Sequence, residues 1–274
     1  MVFAAGLGTR MRPISDTIPK PLVKVAGKPL LDHCLDLFAK AHVPRAIVNV
    51  HYLADQIEAH LASRKVPEIV ISDERAKLLD QGGGIRKVLP LFEGKPFYLC
   101  NTDAFWIEGP LSNIQRLADA WDPARMDALL LVAAASASVG VDWAGDFTMD
   151  AQGHLTRRDE RDVAPFVYSG VGIIKPELFA NETADVFRLA PFFFAAAEKG
   201  RLHGLRIAPF GRGRRGGRSS HPKRPRVRVG LDRGHPRQRH HRPRLDSASG
   251  RNHDRRIVGE RGVRDCPRES NYDN

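Results

Sequence analysis

The chain has 274 residues, 42% of them apolar, which is enough for a real core in one large domain or two small ones. Its formal net charge of +11 suggests a nucleic-acid partner only until the charge is located: residues 211–274 hold 19 Lys and Arg against 7 Asp and Glu, whereas residues 1–210 hold 24 against 25. Cys34, Cys100 and Cys266 share no C-x-x-C spacing, no apolar run reaches about 18 residues, and the opening stretch is too short for a signal peptide, so a disulfide framework, a zinc site, a membrane span and export are all disfavoured and a cytoplasmic protein is expected.

The first stretch is Val2-Phe3-Ala4-Ala5-Gly6-Leu7-Gly8-Thr9-Arg10-Met11-Arg12-Pro13, followed by Pro19-Lys20-Pro21-Leu22. A short apolar run breaking into Gly-x-Gly reads as a buried strand feeding a loop whose amides can wrap a polyphosphate. Arg10, Arg12 and Lys20 add charge-assisted contacts, and a lysine between two prolines has a pre-set backbone. The dinucleotide fingerprint fails because Met11 stands where a small residue is needed, and the Gly-Lys-Ser/Thr of ATPase loops is absent. An ordinary strand-to-loop turn with surface arginines is the structural alternative.

With Gly27-Lys28-Pro29-Leu30 added, these segments resemble the signature of the sugar-1-phosphate nucleotidyltransferases. The resemblance implies a fold of the GT-A-like kind and joining of a nucleoside triphosphate to a sugar 1-phosphate with release of pyrophosphate. It implies that Ala5, Gly6, Gly8, Thr9 and Arg10 hold the triphosphate, and that Arg10 and Lys20 are catalytic through charge neutralisation. Such proteins carry a few residues before the first strand, Met1–Ala5, so a slightly late start is a further expectation.

From Pro29 onward, Leu30, Leu31, Cys34, Leu35, Phe38 and Ala41 fall on one helical face, with Asp32 and His33 on its wet side. Residues 45–50 read as a second strand, 53–64 as a helix and 68–72 as a third strand. Alternating units of this length predict an α/β fold, a Rossmann-like, mainly parallel sheet with helices on both faces and ligands at the carboxyl ends of the strands. Leu78-Leu79-Asp80-Gln81-Gly82-Gly83-Gly84 resembles the family's Leu-Glu-Thr-Gly-Gly segment opening a helix; Gln81, Gly82 and Gly83 are then expected to receive the base, although Asp80 and Gln81 replace Glu and Thr. A flexible glycine loop is the alternative. Phe97-Tyr98-Leu99-Cys100-Asn101-Thr102-Asp103 reads as a buried strand ending in Asn-x-Asp, and the resemblance makes Asp103 a Mg2+ ligand, where the bland reading is a turn or cap.

Residues 113–121 read as a helix, 128–133 as a buried strand, and 146–156 as a small antiparallel hairpin turning at Gln152-Gly153. Gly145-Asp146-Phe147 and Phe166-Val167-Tyr168-Ser169-Gly170-Val171-Gly172 look most like the bacterial N-acetylmuramate-1-phosphate uridylyltransferase branch, which implies that Asn101, Asp146, Ser169 and Gly170 face the sugar. A bulged edge strand would give the same pattern. A helix from Phe187 to Gly200 and a strand over 202–207 complete a nucleotidyltransferase domain, 1–207.

Residues 208–274 differ in kind. Over 211–274 there is no Phe, Trp or Met, arginine fills 18 of 64 positions and no periodicity survives, so a disordered basic tail is expected. The family's Trp-x-Asp/His-Val-Gly-Thr-Pro strand and closing helix are missing, and a reading-frame shift near residues 208–212 accounts for the change. That loss removes the position of a second magnesium ligand and impairs activity. The implied function is uridylyl transfer to an N-acetylmuramate 1-phosphate-like sugar in cell-wall or polysaccharide metabolism. The alternatives are a mannose-1-phosphate guanylyltransferase and an inactive relative whose tail binds nucleic acid. Nucleoside triphosphate and sugar phosphate are the expected partners, with no membrane and with nucleic acid only through the tail.

Overall fold

The computed structural model describes residues 1–208 and the backbone of Val227–Arg228, a two-residue strand running parallel to Ser138–Val139. The expectations for the rest of the tail lie outside the described residues. Strands β1 (Val2–Phe3), β2 (Arg45–Val50), β3 (Glu68–Asp73) and β4 (Phe97–Asn101) are short, mostly apolar runs, and helices α1 (Leu30–Lys40), α2 (Ala54–Leu61) and α3 (Asp80–Val88) connect them. The four strands are parallel in the order β3-β2-β1-β4, with Val2 facing Val48 on one side and Cys100 on the other. The order reverses between β1 and β4, so the loops leaving these two strands diverge and open a crevice at their carboxyl ends.

Beyond α4 (Asn113–Ala120) the chain adds β5 (Ala128–Ala134), β6 (Phe147–Met149), β7 (Leu155–Arg157), β8 (Phe166–Ile174), α5 (Ala190–Glu198) and β9 (Leu202–Arg206). The long β8 is antiparallel to β4, β5 and β6, and a register shift against β5 between Tyr168 and Gly172 lets it bend between neighbours. The expected hairpin is β6–β7, and it joins the main sheet through β8.

Period-two alternation distributes the core onto both faces of this sheet. Val48, Val50, Leu129 and Leu131 pack with Leu31, Leu35 and Phe38 of α1, Ile57 of α2, and Ile114 and Leu117 of α4. Ile47, Leu99, Leu130 and Val132 pack on the other side with Ile85 and Val88 of α3 and Phe193 of α5. The result is the expected α/β architecture with helices on both faces. Cys34 of α1 and Cys100 of β4 are buried free thiols whose sulfurs lie 2.6 Å apart, a proximity concealed by a sequence separation of 66. His33, on the wet side of α1 as read, has Nε2 at 2.9 Å from the Val25 carbonyl and stacks on Phe105.

Candidate active site

Past β1 the chain goes through buried Ala4 and Ala5 into an exposed turn carrying Gly6, Leu7, Thr9 and Arg10. Gly8 takes φ +63°, and a Cβ on it would come 3.1 Å from that of Ser15 and 3.2 Å from that of Lys20, so both conformation and space call for glycine. The turn is fastened from within: the Gly8 carbonyl accepts hydrogen bonds from Met11 N at 2.9 Å and from the hydroxyl of buried Ser15 at 2.7 Å. Arg12, on the surface, pairs with Asp16 at 3.1 Å. The amides of this turn therefore ride on a rigid base at a strand end, the arrangement that suits an anion.

Lys20 starts a single helical turn between Pro19 and Pro21. Its Nζ donates to Asp103 Oδ2 at 2.8 Å, although the residues are 83 positions apart, and their side chains are only 17% and 20% exposed. Asp103 lies just beyond β4, and the Thr102 hydroxyl donates to the Phe3 carbonyl at 2.9 Å, fixing the end of β4 to the end of β1. The lysine and the carboxylate thus meet at the point where the strand order reverses. Partial shielding from water strengthens such a pair over a surface one, and an anion for the lysine with a cation for the carboxylate can replace it.

Gln81, Asn101 and Gly170 also converge. Gln81 Nε2 donates to Asn101 Oδ1 at 3.1 Å, and a Cβ on Gly170 would lie 3.0 Å from that of Asn101. Other expectations need correction. Ser169 is 1% exposed and its hydroxyl donates to the Leu131 carbonyl of neighbouring β5 at 2.7 Å, so it is buried and bonded within the sheet. Asp146 accepts from Trp143 Nε1 and from Tyr168 N, both at 2.9 Å, so its carboxylate braces the turn before β6 against β8. Gly82 and Gly83 lie inside α3, not before it: the Gly82 amide donates to the Phe187 carbonyl at 3.0 Å, and side chains at the two positions would collide with the Phe187 ring and the Asp185 carbonyl. These glycines admit a neighbouring segment of the chain where a base had been expected.

The donor chemistry at Asp103 fits magnesium, which takes hard oxygen ligands and keeps several from phosphate and water. Among the described residues no group of three or more His, Cys, Asp or Glu side chains is arranged to hold a metal ion, so a bound phosphate would have to complete the shell. The family element that would carry a second carboxylate was read as missing, and the tail that stands in its place falls outside the described residues. Sequence reasoning missed Asn49, which accepts from the Ala4 amide just before the glycine turn, and Glu74, to which Asn49 donates. The available signal was a polar amide inside the apolar run of β2 and a glutamate directly after β3.

Residues 1–170 match the MobA-like NTP transferase domain family. The chain is 46% identical over 215 residues to N-acetylmuramate alpha-1-phosphate uridylyltransferase of Caulobacter vibrioides, covering 77% of this chain and 88% of that one. It is 33% identical over 207 residues to the enzyme of the same name from Neisseria meningitidis, covering 74% and 87%. Among solved structures, HddC of Yersinia pseudotuberculosis in complex with GMP-PN superposes with a TM-score of 0.58 at 22% identity, over 75% of this chain and 88% of the other, and shows the same fold. Among the described residues no helix is long and apolar enough to cross a membrane.

Proposed function

The chain belongs to the MobA-like NTP transferase family and is a sugar-1-phosphate nucleotidyltransferase, and from that premise we propose that it moves a uridylyl group from UTP to N-acetylmuramate 1-phosphate. A phosphate oxygen of the sugar 1-phosphate attacks the α-phosphorus of UTP; the new P–O bond forms as the bond to the bridging oxygen breaks and pyrophosphate leaves. Little covalent help is needed, so catalysis rests on positioning and on charge neutralisation. The names of the two relatives, each matched over most of its length, favour UTP and this sugar.

The observation that carries the reading is the Lys20–Asp103 pair at 2.8 Å beside the glycine turn. Amides of Gly6, Gly8 and Thr9 with Arg10 would hold the β- and γ-phosphates, and Lys20 would move from Asp103 to the α-phosphoryl oxygens. Asp103, so released, would hold Mg2+, which when bound supplies positive charge to the phosphates. Gln81 would meet the base, while Asn101 and the Gly170 backbone would line the sugar side. Pyrophosphate release measured with UTP and GTP against a panel of sugar 1-phosphates tests this: turnover is expected with UTP and N-acetylmuramate 1-phosphate. Turnover only with GTP and mannose 1-phosphate, or with no pair, overturns it.

A further inference from the structure

We infer that Asn49, held by Glu74, is a positioning residue that sets the phosphate turn and the start of α3 from one buried pair; the inference rests on the nucleotidyl-transfer reading above. Asn49 and Glu74 are 3% and 2% exposed. Asn49 stands opposite Phe3 in the parallel register of β1 and β2, and its Oδ1 accepts from Ala4 N at 2.8 Å, the first amide beyond the strand. Its Nδ2 donates to Glu74 Oε1 at 2.9 Å. The other carboxylate oxygen accepts from Leu79 N at 3.4 Å, two positions before Gln81.

The carboxylate can lie there only because α3 presents a glycine: a Cβ on Gly84 would be 2.8 Å from Glu74 Oε1 and 3.3 Å from Asn49 Nδ2. Burial raises the Glu74 carboxyl above its ordinary value, and the bonds from Asn49 and Leu79 oppose that rise. A buried amide and carboxylate cost free energy unless all their bonds are made, whereas apolar residues of the same shape are often close to neutral for stability. What the pair contributes is direction: one amide side chain points at the turn that would hold phosphate, and its partner points at the segment carrying Gln81.

The network can be reversed without changing its shape. In Asn49→Asp two carboxylates face each other; in Asn49→Asp/Glu74→Gln the new carboxylate accepts from the Ala4 amide and from the new side-chain amide, whose oxygen accepts from Leu79. Amide hydrogen exchange without nucleotide, together with calorimetric UTP binding and KM for each substrate, reads the effect. Asn49→Asp should speed exchange at both 4–9 and 79–84 by about 10-fold and weaken UTP binding by about 10-fold, with KM for the sugar phosphate within about 2-fold and the circular dichroism of the wild type. The double variant should return all of these to within about 3-fold of wild type. Unchanged exchange, a response in only one segment, failure of the double variant to recover, or faster exchange with unaltered UTP affinity would each overturn the inference. If the wild type binds no UTP while exchange responds as stated, the proposed function falls and the coupling of the two segments stands. Should Asn49→Asp not fold, Asn49→Ser, which loses both bonds without adding charge, carries the same measurements.

Discussion

Gly6 and Gly8 lie in an exposed turn beyond β1, whereas Gly82, Gly83 and Gly84 are buried inside α3. In the first segment the missing side chain at Gly6 leaves the backbone open, since a Cβ there would meet nothing within 4 Å, while Gly8 makes the turn itself, with φ +63° and Ser15 and Lys20 close by. In the second the same absence is filled by the Phe187 ring, the Asp185 carbonyl and the Glu74 carboxylate. Both segments looked like ligand loops in the sequence, yet one exposes amides and the other packs protein against protein. Glycine marks a close approach, and only the fold says of what.

The comparison breaks if the exposed turn and its two charged neighbours do not carry turnover. Lys20→Met and Asp103→Asn are each expected to lower kcat/KM by about 100- to 1,000-fold with unchanged thermal unfolding, the loss typical of removing one group that stabilises developing charge. Steady-state pyrophosphate release checks this. Next in size, Gly83→Ala should cost about 3 kcal/mol of stability, since its methyl must displace backbone at Asp185, while Gly6→Ala should leave the urea midpoint unchanged and weaken UTP binding.

A smaller effect sharpens the packed side of the contrast. Because burial raises the Glu74 carboxyl, the folded chain keeps that proton to a higher pH than the unfolded chain, whose value is near 4.5. Folding takes up a proton in that window, so stability should fall as pH rises through it, and Glu74→Gln should flatten this dependence in urea titrations from about pH 4 to about pH 7. Smallest of all, Ser169→Ala should cost about 1 kcal/mol through the lost bond to Leu131 and leave KM for the sugar phosphate unaltered.

Much of the N-terminal half was legible in order. β2 coincides with the strand read from its apolar run, and α1 buries Leu30, Leu31, Cys34, Leu35 and Phe38, as its spacing required. Local pattern specifies such elements because each is decided by its own periodicity. The part from β5 onward was less legible. Ser169 was expected to face a ligand from the family resemblance of its segment, but its orientation depends on which strand β8 adopts as neighbour, and that pairing is tertiary. The same holds for Asn49 and Glu74, 25 positions apart, whose bond exists only because β2 and β3 are adjacent. The frame-shift expectation for the tail falls outside the described residues.

The most direct test is a crystal structure with a non-hydrolysable UTP analogue and magnesium. The account predicts that the 2.8 Å contact between Lys20 and Asp103 opens, with the lysine on an α-phosphoryl oxygen, the carboxylate on the metal and the triphosphate against the Gly6–Thr9 amides. A nucleotide bound elsewhere, with that contact intact, would contradict it.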